Sequence, residues 1–201
     1  PGAWLISMKL GDNNMSGGAT RTSSMKDSYD FAVEFGKKYG LPVVVNMSFG
    51  IASVEEAEDD MGEYLDKLMA DNPGFYVCTS AGNEGPGLST IGIPGTSSSL
   101  ITVGAYISKE TGHDLYDANL PAHTLYAFSS RGGETAKPDI VAPGGALSTV
   151  PGFVDGSARY NGTSMASPQA AGAVACLVSA ALAEDKEIHW GMMKRAVIAG
   201  A

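Results

Sequence analysis

At 201 residues, 44% of them hydrophobic and 17% charged, with 26 glycines, the chain has the size and composition of one globular domain able to bury a good core. A net charge of −9 argues against nucleic acid or an anionic membrane surface as a partner. The longest apolar run, Ala170 to Ala183, is shorter than a membrane span and is interrupted by Ser179. Cys78 and Cys176 both sit in apolar surroundings and read as core thiols; they make no disulfide framework and have no partners at metal-ligand spacing. The chain opens on Pro1 rather than methionine, which points to a processed or excised segment, so the lack of a signal peptide says little about location.

In chain order, strands and helices alternate. Ala3 to Leu10 is extended and apolar, and Gly11 to Asn14 is a turn. Ser24 to Tyr39 reads as a helix with Ser24 and Asp27 as a capping pair; Met25, Tyr29, Ala32 and Gly36 share one face, and Gly40 and Pro42 stop it. Val43 to Phe49 is a continuous apolar strand, as expected of one buried on both faces of a parallel sheet. Ser53 and Glu56 form a second capping box; the helix they open turns Ala57, Met61, Leu65, Leu68 and Met69 inward and ends at Asn72-Pro73-Gly74. Phe75 to Ser80 and Leu100 to Ile107 are further strands. Ser108 to Leu125 is polar and irregular, and reads as a surface excursion. Asp139 to Ala142 is a short strand closed by Pro143-Gly144-Gly145, and Trp190 to Ile198 is a last short helix.

The long small-residue run Ala166 to Ala183 is apolar nearly all round, which predicts a buried central helix. Repeated strand–helix units imply an α/β fold: a doubly wound, mostly parallel sheet with helices on both faces and right-handed crossovers. Ligands on such sheets bind at the carboxyl ends of the strands. Asn46 to Gly50, Ser80 to Asn83 and the start of the Ser164 helix all fall there. A hydroxyl at a helix start lies beside unpaired, partly positive N–H groups, a cradle for a developing oxyanion. The Asn83 amide and the Ser164 backbone N–H are two such donors. Each feature also has a plain structural reading: a capped core helix, a turn asparagine, a strand running into a loop. Ser48-Phe49-Gly50 offers a backbone edge on which an extended peptide could pair. Gly82 to Gly87 lacks the dinucleotide-binding spacing, and no Gly-x-Ser-x-Gly elbow surrounds Ser164.

Four stretches together resemble one family. Gly162-Thr163-Ser164-Met165-Ala166-Ser167-Pro168 is similar to the nucleophile motif of the subtilisin-like serine peptidases (subtilases), and Ser80-Ala81-Gly82-Asn83-Glu84-Gly85 to their oxyanion asparagine motif. Val45-Asn46-Met47-Ser48-Phe49-Gly50 resembles their substrate-binding strand, and Lys137-Pro138-Asp139-Ile140-Val141-Ala142-Pro143-Gly144 the strand before the nucleophile. The resemblance runs over nearly the whole chain in family order. It implies Ser164 as nucleophile, with Asn83 and the Ser164 amide as the oxyanion hole. It also implies Ser48, Phe49 and Gly50 on one side of a polypeptide substrate and Ser80, Ala81 and Gly82 on the other, with Thr163 at the site. In subtilisin itself, loss of the asparagine donor costs about 10² to 10³ in turnover.

Leu88 to Gly92, Val103 to Tyr106, Ala142 to Ala146 and Gln169 resemble the tripeptidyl-peptidase II branch and its bacterial relatives. That branch carries an acidic residue after the substrate strand to hold a free amino group; here the position is Ile51, so endopeptidase action is expected rather than tripeptide release. Family order is Asp, His, Ser, and neither the aspartate nor the histidine motif is present. Residues 1–201 are therefore expected to be a partial catalytic domain, with both partners upstream, and nearly inactive alone. His113, His123 and His189 read as surface residues. The alternative is a degenerate subtilase that binds peptides or serves as a structural domain; an unrelated nucleotide-binding α/β protein is more remote. No cofactor is implied, no metal ligand is assigned, and calcium stays open. Exposed sheet edges invite self-association. Analogy with bacterial subtilases favours an extracellular location, with the cytoplasmic one of the tripeptidyl-peptidase branch as the alternative.

Overall fold

The computed structural model describes residues 2–12, 14, 20–52, 59–148 and 159–201. Its elements in chain order are α1 (Thr22–Tyr39), β1 (Val43–Met47), α2 (Asp60–Asp71), β2 (Phe75–Ser80), β3 (Ile101–Ile107), α3 (Lys109–Tyr116), β4 (Thr124–Leu125), β5 (Ile140–Pro143), β6 (Gly145–Ala146), β7 (Tyr160–Asn161), α4 (Thr163–Ala183) and α5 (Trp190–Gly200). Contacts divide the chain into two compact units, Pro1–Val43 and Val44–Ala201.

In the first unit, α1 buries Met25, Tyr29, Ala32, Val33 and Gly36, the stripe its spacing predicts. Its start differs. The helix begins two residues before Ser24, with Arg21 as N-cap and no side-chain cap, so Ser24 lies inside the first turn and its carbonyl accepts from Ser28 Oγ at 2.8 Å. Gly40 closes the helix in the left-handed region (φ 63), donating back to its last turn. Residues 3–10 form no strand: they have no ladder partner among the described residues, and an apolar extended run becomes a strand only where a neighbour takes its N–H and C=O groups. Trp4 lies edge-on to Phe35 and Tyr39 instead, with ring centroids 6.2 and 5.4 Å apart.

The second unit is built on a mixed five-stranded sheet in the order β1-β2-β3-β4, with β5 also pairing to β3. β3 is the hub. It runs parallel to β2 (Cys78 opposite Ile101) and parallel to β5 (Val103 opposite Ile140). Tyr106 pairs with Pro143 of β5 on one edge and with Leu125 of antiparallel β4 on the other. β2 is buried throughout, as a central strand should be. β1 is not: it stands at the end of the described sheet, Val45 and Met47 are buried, and Asn46 is exposed.

One face of α4 packs on the sheet through Ala166, Ala170, Ala171, Val174 and Val178, against Tyr76, Cys78, Ile101, Val103, Ala105 and Ala142, with Met193 of α5 joining them. Alanines on this face let helix and sheet approach closely. The opposite face is exposed: Leu177 is 43% and Leu182 48% accessible, and Cys176 is exposed. The helix is therefore amphipathic in burial though not in sequence, and only Cys78 is a core thiol, pushed up to about 12 by burial. The apolar stretch Ala170 to Ala183 continues a helix that starts at Thr163, and the 21 residues of α4 together are long and apolar enough to cross a membrane by length and composition alone. Its packing on β2, β3 and β5 makes it a core helix of this sheet.

The capping box at Ser53 and Glu56, with Ala57, lies outside the described residues. α2 opens at Asp59, whose side chain accepts from Gly62 N, and buries Met61, Leu65 and Met69, while Leu68 is half-buried. The predicted irregular excursion contains α3. Ser108 caps it by accepting from Thr111 N at 3.0 Å, and Asp117 ends it in the left-handed region (φ 52). No apolar period marks this helix; its caps and the approach of Leu120 to Gly112, 2.6 Å from where a Cβ would be, define it.

Asp139, just before β5, is the ionic anchor of the sheet. Its Oδ2 accepts from Thr102 N and Lys137 Nζ, both at 2.8 Å, and its Oδ1 pairs with Lys194 of α5 at 2.9 Å. Both lysines also donate to Leu100 O. Burial pulls Lys137 down to about 8; Asp139 opposes this and Lys194 adds to it. Asp139→Ala should destabilise the fold by about 3–5 kcal/mol in urea denaturation, because two buried ammonium groups lose their counter-charge.

Asp66 on α2 holds the segment before β3: Ser97 Oγ donates to its Oδ1 at 2.5 Å, Ser98 Oγ to Oδ2 at 2.8 Å and Ser99 N to Oδ1 at 3.0 Å. Burial pushes its carboxyl up, but these hydrogen bonds outweigh burial and hold it below the usual 3.8. The unfolded chain then takes up the proton before the native one, so this contribution is complete above about pH 4 and is lost as pH falls through the depressed value. Asp66→Asn should flatten the loss of stability below pH 4, read as unfolding midpoint against pH.

Candidate functional site

At the carboxyl ends of β1 and β2, the first turn of α4 closes a cleft of about 210 Å³. Ser48, Phe49, Gly50, Ser80, Gly82, Asn83, Thr163 and Ser164 all line it. Of the residues singled out from sequence, Ala81 does not: it is fully buried, and its backbone bonds Val103 O and Gly92 N beneath the cleft.

The helix starts at Thr163, three residues before the predicted Ala166, so Ser164 lies within its first turn. Its N-cap, Gly162, has no side chain to take the orphan N–H groups. Asn83 does so from another element: its Oδ1 accepts from Thr163 N at 3.0 Å and faces Thr163 Oγ1 at 3.1 Å. Thr163 Oγ1 in turn accepts from Gly82 N and faces Gly82 O, both at 3.2 Å. The carbonyl end of the Asn83 amide is thereby occupied, and its Nδ2 has no hydrogen-bond partner among the described residues. A Cβ on Gly162 would lie 3.6 Å from both Asn83 Oδ1 and Ser164 N, and 3.7 Å from Asn83 Nδ2. Glycine keeps that space open, with an amide donor on each side of it.

The Asn83 turn is held tightly. Gly82 adopts φ +109, and a side chain there would strike Glu84 Oε2 and Ser130 Oγ. Ser130 Oγ bonds Glu84 Oε2 and Glu84 N, both at 3.1 Å, and Gly85 N donates to Phe128 O at 2.8 Å. On the far wall, Ser164 Oγ donates to Ser48 O at 3.3 Å, and Ser48 Oγ donates to Ser164 O at 2.9 Å. Asn46 braces this contact, accepting from Ser167 Oγ at 2.7 Å and donating to Ser48 Oγ at 3.0 Å.

Four lining residues were not assigned to the site from sequence: Ile51, Ala52, Glu84 and Gly92. Ile51 and Ile93 exchange backbone hydrogen bonds at 2.9 and 2.8 Å, which brings Gly92 to the cleft from a distant loop. Glu84 adjoins Asn83 and was legible as part of that turn; Gly92 had no local signal. The three histidines are engaged elsewhere. His113 Nδ1 lies 3.0 Å from Asp114 Oδ1, His123 Nδ1 accepts from Lys109 N at 3.2 Å, and His189 caps α5 by accepting from Gly191 N at 3.0 Å.

Residues 1–201 match the family model described as the Subtilase family. Tripeptidyl-peptidase 2 of Oryza sativa subsp. japonica is 42% identical over 209 residues, covering 98% of this chain and 14% of that protein. The Caenorhabditis elegans protein of the same name is 37% identical over 187 residues, covering 89% of this chain and 13% of that one. Among solved structures, that of tripeptidyl peptidase 2 superposes with a TM-score of 0.67 at 31% identity, over 95% of this chain and 14% of that chain. The chain thus spans about one-seventh of the length of these relatives. By the extent of the match and by this superposition, the chain belongs to the subtilase family of subtilisin-like proteins.

Proposed function

We propose that the protein carrying these residues is a serine peptidase, that residues 1–201 form part of its catalytic domain, and that Ser164 is its nucleophile. The observation that carries this reading is that Ser164 N and Asn83 Nδ2, which has no hydrogen-bond partner among the described residues, both lie beside Gly162. In this mechanism Ser164 Oγ attacks a peptide carbonyl, and the two amides take the negative charge on its oxygen. A histidine outside these residues, oriented by an aspartate, removes the serine proton and returns it to the leaving amine; water then releases the acyl-enzyme. Two features support a base from elsewhere: all three histidines have other partners, and Ser164 Oγ rests on the Ser48 carbonyl.

The substrate is a polypeptide lying between Ser48–Gly50 and Ser80–Gly82, with Thr163 fixing the Gly82 side. Cleavage is endopeptidic: the exposed Ile51 at the cleft offers no carboxylate for a free amino terminus, and the Glu84 carboxylate there already accepts from Ser130 Oγ. A degenerate, peptide-binding subtilase is the second reading, favoured only by the lack of a base on Ser164. Self-association through a sheet edge is consistent with β1 ending the described sheet.

Fluorophosphonate labelling read by intact mass tests the nucleophile. The full-length protein should gain one adduct on Ser164, lost in Ser164→Ala, while residues 1–201 alone should react at a negligible rate. Failure of the full-length protein to react would favour the peptide-binding reading, and rapid reaction of residues 1–201 would place the base within them. Asn83→Ala should lower kcat by about 10² to 10³, the magnitude known for the same donor in subtilisin, with KM little changed. Acetylating the amino terminus of a quenched peptide substrate should leave its cleavage rate within about twofold; loss of cleavage would indicate exopeptidase action.

A further inference from the structure

The residue that leads into α4, Asn161, is held by two phenols that the reaction scheme does not use. Tyr116 OH, at the end of α3, donates to Asn161 Oδ1 at 2.5 Å, and Tyr126 OH donates to the same oxygen at 3.0 Å. A carbonyl oxygen has two lone pairs, so this acceptor is saturated. We infer that Tyr116 and Tyr126 are positioning residues that clamp Asn161 and thereby set the Asn161–Ser164 turn, an inference that rests on Ser164 being the nucleophile.

The surroundings are built for this contact. Asn161 of β7 pairs with Gly145 of β6, and a Cβ on Gly145 would lie 2.8 Å from Tyr126 OH and 3.0 Å from Asn161 Oδ1. Any side chain there would push the hydroxyl off its acceptor. Tyr126 points from a rigid base: its ring stacks on Phe128 at 4.7 Å and its N–H bonds Ala105 O of β3 at 3.0 Å. Burial, with Tyr116 beside it, pushes its phenol up to about 12, so it remains a donor at neutral pH. The next residue is held through its backbone, Gly162 N donating to Gly144 O at 2.8 Å. From there the chain enters α4 and reaches Ser164 two residues on.

Asn161 and Tyr116 are exposed and Tyr126 is half-buried, so these bonds add little to global stability. Placement is another matter, since a shift of about 1 Å at a reacting group can cost about 10² in rate. The clamp therefore acts on reactivity more than on folding.

The test uses the full-length protein with Tyr116→Phe and Tyr126→Phe combined, which keeps both rings and removes both hydroxyls. Hydrogen exchange across residues 160–166 should accelerate with Tm unchanged. The limiting rate of fluorophosphonate labelling should fall about tenfold at unchanged inhibitor affinity. Asn161→Ala should reproduce both effects, and adding the two phenylalanines to it should change nothing further. Unchanged exchange, unchanged labelling, or losses that simply add would each overturn the clamp. If the unsubstituted protein does not label, the peptidase reading fails, and the exchange measurements alone decide whether the turn is clamped.

Discussion

The site depends on how the N-terminus of one helix is capped. Any α-helix begins with backbone N–H groups that nothing within it can satisfy, and α4 begins on a glycine that has no side chain to offer. Its cap comes from Asn83, more than seventy residues away in sequence and at the end of β2. This long-range bond within the chain ties the end of β2 to the helix at the cleft. It also leaves the Asn83 side-chain nitrogen and the Ser164 backbone nitrogen near one another, each within 4 Å of where a Gly162 Cβ would stand. A Ser or Asp at position 162 would cap the helix locally, but its side chain would fill that space and make the asparagine redundant. Capping and the candidate anion cradle are thus one arrangement.

Rigidity behind this arrangement is distributed over several kinds of interaction. The alanine-rich face of α4 meets the sheet through small side chains, so a slight tilt would open voids or clashes and be resisted by packing. Asp139 fixes the register of β5 on β3 and draws α5 to the same point through Lys194. Asp66 secures the segment before β3, and Asp59 bonds Thr96 on the same segment at 2.5 Å. That segment follows Gly92 and Ile93, so acidic groups on α2 help shape the far wall of the cleft. Asp59 and Asp66 work by collecting hydrogen bonds from backbone and hydroxyl groups, and Asp139 adds a shielded ion pair with each of two lysines.

Polar contacts also join the two walls of the cleft across long sequence separations. Asn46, Ser48, Ser164 and Ser167 form a closed set of hydrogen bonds between β1 and the first turns of α4. A peptide entering beside Ser48 would meet a strand already anchored to the candidate nucleophile's own helix. Ser164 would need to leave the Ser48 carbonyl to be activated, which requires a better acceptor at its hydroxyl. A histidine ring nitrogen has that property.

Much of the fold was legible in the sequence because the relevant physics is local. The fully buried β2, the inward stripe of α1 and its glycine stop follow from residue type and period, as does the clustering of Ser48, Ser80, Asn83 and Ser164 at strand ends. What failed depended on partners. Residues 3–10 have strand composition but no ladder neighbour, and β1 is half-exposed because it ends the described sheet. α3 has no apolar stripe, being defined by caps that compete with many other uses of serine and aspartate. The apolar circumference of α4 could not say which side would be covered, so Cys176 lies outside and Cys78 inside. Composition and period decide what an element can become, because propensity, capping and amphipathicity act within a few residues. Register, burial and the meeting of Asn83, Gly92 and Tyr116 with the α4 entry are decided only when distant segments exclude water from one another.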